Sequence, residues 1–436
     1  MSAVAQAAAQ GGVHHAEAIL YFTLLQLSLV VLAGRVGSTL AVRVGQSAAV
    51  GEIVIGILLG PSLFGWLAPA TFNYVFKSVP GEPMQVLSQL GLILLMFQIG
   101  LAFDFGHLTE RHNRRAVLWV AIAGLVTPFA LGFGLGWVSA PALAPGDSHQ
   151  LATALFVATA FSITALPILG RIMIEFDLTR RPLGVIGISA AAINDVVGWL
   201  LLALVSTLAV SQFNAGAFAL NVALVALFGV TCWWVVRPVL KRLIHASQAS
   251  ARTATGQHEP LSNNLLGGLL AAIFVASMTT YHLGIFAIFG GFMLGVLLHD
   301  ERALVDAWQE RLGQFTTVFF LPIFFTYTGL RTDVGSLNTP ALWGWCLATV
   351  FLATAGKFCA SYLAARWVGM PRAEAKVLGI MMNTRALMEL IVINVGYDLG
   401  VISRPQFTML VIMAIFSTVI TAPLLRRWLP HCRADA

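Results

Sequence analysis

Apolar residues run through this chain in long blocks, separated by short polar stretches. At 1.5 Å of rise per residue, a helix of about 20 apolar residues crosses a hydrocarbon core of ~30 Å. The pattern predicts about thirteen such spans. They cover residues 18–42, 47–66, 85–103, 115–139, 150–174, 182–210, 215–239, 262–281, 284–299, 313–330, 340–367, 374–398 and 405–427. Basic residues mark alternate loops: Arg43; Arg111, Arg114 and Arg115; Arg171, Arg180 and Arg181; Arg237, Lys241 and Arg242; Arg302 and Arg311; Arg366, Arg372 and Lys376; then Arg426, Arg427 and Arg433. The opposite loops hold only Lys77, Arg331 and Arg404. The richer side is expected to be cytoplasmic, which puts the N-terminus outside and the C-terminus inside. Residues 1–17 then form an extracytoplasmic tail, 18–427 the transmembrane domain and 428–436 a short cytoplasmic tail. The polar stretch 240–261 reads as a flexible tether.

An odd number of spans permits an inverted repeat around a middle helix. Span three ends Gly100-Leu101-Ala102-Phe103-Asp104, and span ten ends Gly329-Leu330-Arg331-Thr332-Asp333. Span two carries Gly56 and Gly60, and span nine Gly291 and Gly295. Repeat one is expected over 18–210, a linker helix over 215–239 and repeat two over 262–427. The fold class is an all-α membrane protein.

Composition agrees with this pattern. The chain is 58% hydrophobic and 10% charged, with a mean hydropathy of +0.84, which excludes an ordinary soluble domain. The net charge of +6 is dispersed over loops, so no nucleic-acid partner is expected. Cys232, Cys346, Cys359 and Cys432 stand far apart, with no metal-binding or disulfide spacing. The histidines fall at ends and in loops, so no resident metal is expected. His107 and His112 read as solvated loop residues sooner than as pH sensors. No cofactor is expected, no basic n-region marks a cleavable signal peptide, and no soluble domain is expected after the last span.

The polar residues inside the apolar blocks carry the chemistry. Asp195 lies near the middle of the 182–210 block. A charged carboxylate there costs about 2.5–3.5 kcal/mol on insertion scales, and such residues usually line an ion or proton path. A carboxylate holds a proton or a bare cation, not both. Burial favours its neutral form and a nearby positive charge its anion. Asn194 offers an amide to the ion or to the carboxylate, or caps a local irregularity. Span five contains Ser162, Thr164 and Pro167. Proline breaks a helix, and the hydroxyls beside it are hard oxygen ligands. Span twelve is also interrupted, at Asn383, Thr384 and Arg385. Two broken helices at matching repeat positions point to a midplane binding site. Lys357 lies too deep in span eleven to snorkel, and is expected to face the crossing and to pair with Asp195 when no cation is bound. Arg385 and Glu389 are four residues apart, the spacing of a local ion pair.

At these residues the chain resembles the monovalent cation:proton antiporter-2 family, most of all its plant and fungal cation/proton exchanger branch. Three stretches carry the resemblance: 158–170 (ATAFSITALPILG), 189–203 (SAAAINDVVGWLLLA) and 383–396 (NTRALMELIVINVG). It implies a homodimer in membrane lipid, with a panel domain and a core domain that moves like an elevator, two crossed broken helices, and exchange of Na⁺ or K⁺ for H⁺. It assigns Asp195 to the ion and proton site, Asn194 to its partner and Lys357 to the basic residue of the core. It places Ser162 and Thr164 on the first broken helix and Arg385 on the second. The chain departs from the family at two points. Many members carry two acids or Gln-Asp where Asn194-Asp195 stands. Related exchangers with Asn-Asp carry a Glu five positions before the Asp, where this chain has Ala190, which leaves Glu389 to partner Arg385. Efflux of another cation or an organic solute, a passive channel and a membrane enzyme are the competing classes. An intramembrane aspartyl protease would need a Gly-x-Gly-Asp context, which is absent.

Overall fold

The computed structural model describes residues 3–102, 114–143, 150–176, 178, 181–210, 215–255, 261–283, 285–385 and 387–434. They are helical throughout, with no strand among the described residues. The helices are α1 (Ala3–Arg43), α2 (Ala48–Leu58), α3 (Phe64–Leu67), α4 (Pro69–Phe76), α5 (Glu82–Leu101), α6 (Arg114–Leu143), α7 (Gln150–Ser162), α8 (Leu166–Glu175), α9 (Pro182–Val210) and α10 (Ala215–Thr231). Then come α11 (Arg237–Thr255), α12 (Asn263–His282), α13 (Ile288–Leu298), α14 (Arg302–Trp308), α15 (Leu321–Arg331), α16 (Pro340–Trp367), α17 (Arg372–Met382), α18 (Leu387–Asp398) and α19 (Arg404–Ala434).

Nine helical stretches among the described residues are long and apolar enough to cross a membrane. Their outward faces are apolar: Leu347, Phe351 and Leu363 of α16 stand exposed, as they must when the solvent is lipid. The expected spans at 47–66, 150–174, 284–299 and 313–330 are short or interrupted helices instead.

The chain divides into two compact units. The first joins Met1–Leu92 to Phe315–Gly335. Within it α2 lies against α15 at backbone distance. A Cβ on Gly329 would stand 2.1 Å from the Gly56 carbonyl oxygen, and one on Gly60 would stand 2.2 Å from that of Gly329. Only glycine permits that approach. Ser62 ties the helix ends together, donating to Thr332 O at 2.8 Å and accepting from Val334 N at 3.1 Å.

The second unit holds Ile93–Gln314 and Ser336–Ala436. It repeats the device: a Cβ on Gly295 would stand 2.2 Å from Phe97 O, and one on Gly100 would stand 2.5 Å from Phe292 O. The α6 glycines Gly132 and Gly136 seat that helix on Ala158 and Ala154 of α7.

Helix continues into three stretches that read from the sequence as tails or a tether. Residues 3–17, expected as a tail, continue α1, in keeping with their alanine content and alanine's high helix propensity. The stretch expected as a tether is helical to Thr255, while 256–260 lie outside the described residues. Leu240 and Ile244, four apart and buried, hold one face of α11. Arg237 and Lys241 bond Asp300, Lys241 also reaches Glu301, and His245 pairs with Glu301 at 3.3 Å. The stretch 428–434 likewise continues α19.

Candidate functional site

The site lies in the second unit, where two helices are broken. α7 stops at Ser162 and α8 begins at Leu166, with Pro167 at its second position. Proline fits a helix start but not its interior, because it has no N–H to donate. α17 stops at Met382 and α18 begins at Leu387. Asn383 and Thr384 stand in that gap, with side chains that compete for backbone hydrogen bonds. The breaks satisfy one another: Ala165 N donates to Thr384 O at 3.0 Å, and the Thr164 hydroxyl donates to Met382 O at 3.2 Å. Ser162, Thr164, Asn383, Thr384 and Arg385 are all fully buried. Irregular backbone at membrane depth is tolerated when protein covers it in this way.

Two buried cations tie the breaks to their neighbours. Lys357 of α16 donates to the Ser162 carbonyl, which the end of α7 leaves without an intrahelical partner. Arg385 donates to Ala160 O at 2.9 Å and Ala353 O at 3.0 Å, and pairs with Glu389 at 3.3 Å. That arginine joins α7, α16 and α18.

Asp195 and Asn194 project from α9 into this region, 1% and 0% exposed. Neither oxygen of the Asp195 carboxylate has a hydrogen-bond partner among the described residues, and neither does either polar atom of the Asn194 amide. Lys357 lies within electrostatic reach of Asp195, Arg385 and Glu389. The direct Lys357–Asp195 pair expected from the sequence is not formed; the ammonium takes the carbonyl of the broken helix instead. The structure thus gathers every sequence-predicted site residue around one crossing. His107 and His112, with Phe103 and Asp104, lie outside the described residues.

Two members were not foreseen. Ser361 is buried, and its hydroxyl has no partner among the described residues. A Cβ on Gly124 of α6 would stand 3.0 Å from the Ser361 hydroxyl and 3.5 Å from the Asn194 amide nitrogen. Gly124 thus leaves room for both side chains. The signal for Ser361 was its position one helical turn after Lys357, on the same face. Among the described residues no cluster of His, Cys, Asp or Glu could hold a metal ion.

A buried carboxylate unpaired among the described residues stands beside two broken helices, in a chain whose apolar spans are those of a multi-pass integral membrane protein. The sequence profile described as "Sodium/hydrogen exchanger, transmembrane" matches residues 27–429, and the chain belongs to that family. It is 37% identical over 412 residues to the Na(+)/H(+) antiporter NhaS4 of Synechocystis sp., covering 93% of this chain and 97% of that one. It is 35% identical to the cation/H(+) antiporter 17 of Arabidopsis thaliana, covering 94% of this chain but only 48% of the longer plant protein. Among solved structures, the sodium proton antiporter MjNhaP1 of Methanocaldococcus jannaschii has a similar fold, with a TM-score of 0.58. That match has 16% sequence identity and covers 94% of this chain and 97% of the other.

Proposed function

We propose that the chain is a secondary active transporter that exchanges a monovalent cation, Na⁺ or K⁺, for H⁺, with Asp195 as the shared binding group. The observation that carries this is the Asp195 carboxylate, buried with neither oxygen hydrogen-bonded. An ionised carboxylate without a partner is costly in a low-dielectric interior. A proton or a cation relieves that cost, and each excludes the other. Competition for one carboxylate couples the two flows. Asn194, Ser162, Thr164 and Thr384 supply neutral oxygens for the desolvated cation. Lys357, Arg385, Glu389 and Asn383 hold the broken helices in place.

The wider reading includes about thirteen spans in two inverted repeats. The glycine contacts support it. Pairing span two with span nine, and span three with span ten, turns the contact of Gly56 with Gly329 into that of Gly291 and Gly295 with Ile93 and Phe97. The family resemblance supports a homodimer with panel and core domains and elevator-type alternating access. The loop charges support a cytoplasmic C-terminus, and the proposed location is a plasma or inner membrane.

The test is reconstitution into liposomes with a trapped pH dye, adding Li⁺, Na⁺, K⁺ and Rb⁺ in turn. Cation-driven proton flux is expected in the wild type. Asp195→Asn, whose amide cannot bind and release a proton, is expected to fold and show none. Substantial flux in that variant would remove Asp195 from the role.

A further inference from the structure

An open cleft of about 590 Å³ runs between α6 and α16 on the outer face of the second unit. On α6 its lining is the every-fourth stripe of Trp119, Ala123, Thr127 and Leu131. On α16 it meets Gly356, Cys359, Leu363 and Trp367. The helices run antiparallel here: a Cβ on Gly356 would stand 2.5 Å from Leu131 Cδ1, closing the inner end, and one on Gly124 would stand 3.0 Å from the Ser361 hydroxyl further along. Trp119 and Trp367, 47% and 77% exposed, stand toward the other end. From Leu131 to Trp119 the stripe is about 18 Å long at 1.5 Å per residue. It is nearly all apolar, narrow and open to the side.

The next position on the α6 stripe beyond Trp119 is Arg115, which is exposed, as is Arg114 beside it. Arg366 precedes Trp367, and the exposed Arg372 opens α17 just beyond, with Glu374 the nearby acid in that helix. No acidic residue lines the cleft. A tryptophan pair marks a membrane–water interface, and basic residues beside a groove between spans suit an anionic headgroup.

We propose that this cleft binds an anionic phospholipid. One acyl chain lies along the stripe from Trp119 to Leu131, and the headgroup phosphate meets Arg115, Arg366 at the end of α16 and Arg372 at the start of α17. The charge at the mouth selects the lipid, and the apolar stripe holds its chain.

The experiment uses the full chain in phosphatidylcholine nanodiscs doped with phosphatidylglycerol that carries a photoreactive diazirine in its acyl chain. Adducts are mapped by mass spectrometry. They are expected to concentrate on 119–131 and 355–367, to be competed by unlabelled phosphatidylglycerol, and to resist phosphatidylcholine. Arg114→Gln with Arg115→Gln should lower the yield there several-fold, as should Cys359→Trp, which fills the cleft but keeps the arginines. Native size-exclusion profiles and retained cation exchange check that both variants are folded. Equal labelling by a diazirine phosphatidylcholine would overturn the proposal. So would adducts spread evenly over exposed helices, or labelling unchanged in both variants. A cleft protected from every lipid probe, with disulfide crosslinks forming between Cys359 of two chains, would assign it instead to a second copy.

Discussion

The ammonium of Lys357 lies 0% exposed, bonded to a carbonyl that its helix has abandoned and within electrostatic reach of two carboxylates. Removing it orphans the Ser162 carbonyl and takes a positive charge from Asp195 and Glu389. A buried acceptor left without a donor costs about 1–3 kcal/mol. Lys357→Ala is therefore expected to lower the thermal midpoint in detergent and to impair exchange. Lys357→Met, which nearly restores the volume but donates nothing, should remain destabilised. A Met variant as stable as the wild type would show that the bond is unimportant and the alanine effect only a cavity. At this scale charge was legible in the sequence. Asp195, Lys357, Arg385 and Glu389 stand out because each interrupts an apolar run. Ser361 and Gly124 did not stand out, because small residues in membrane helices usually read as packing. Their part depends on which neighbours the tertiary fold supplies.

Among the elements, α11 has the most evident dependence on distant partners. Its basic face is held by Asp300 and Glu301, which follow α13. Partial burial of Asp300 works against its charged form, but bonds from Lys241 and Arg237 outweigh that and hold its carboxyl below the usual aspartate range. A group with a depressed native value stabilises the fold above its unfolded value, and that contribution is lost as pH falls through the native one. The tie should therefore be complete at neutral pH and weaken only in acid, below about the ordinary aspartate value near 4. Asp300 is more than a third exposed, so the effect on global stability is expected to stay below about 1 kcal/mol. Amide exchange over 237–246 is the sensitive measure. Asp300→Asn should speed it at pH 7 by several-fold, and the wild type should approach the mutant only in acid. Exchange identical in the two proteins at pH 7 would show that the pairs do not hold the helix. The broken helices were legible because proline and short polar residues leave a local mark. The ordered start of α11 was not, because what orders it comes from residues about sixty positions later.

Across the whole molecule, hydropathy foretold the helical membrane class, while the division into two compact units had no counterpart in the pattern. That division depends on which helices pack together, and apolar faces of similar composition do not specify their partners. The site residues in turn constrain the transport cycle. If Asp195 carries either one proton or one monovalent cation, equal charge crosses in each half-cycle, and exchange is one for one. In proteoliposomes with the membrane voltage clamped, the endpoint is expected to follow the cation and pH gradients alone. An endpoint that moves with the imposed voltage would require a second proton, with Lys357 the nearest other carrier. The meeting of the two breaks bears on the same question from the backbone. α7 and α17 bring carbonyl ends to the crossing and α8 and α18 bring amide ends, each worth about half a charge of opposite sign. Those partial charges sum to nothing, as do the formal charges of Asp195 and Glu389 against Lys357 and Arg385. Under the proposed competition for Asp195, the crossing gains one positive charge with either ion. The net charge moved is then the same for both, and because a Born cost varies inversely with radius, ionic size and bond chemistry are the terms left to tell one cargo from the other.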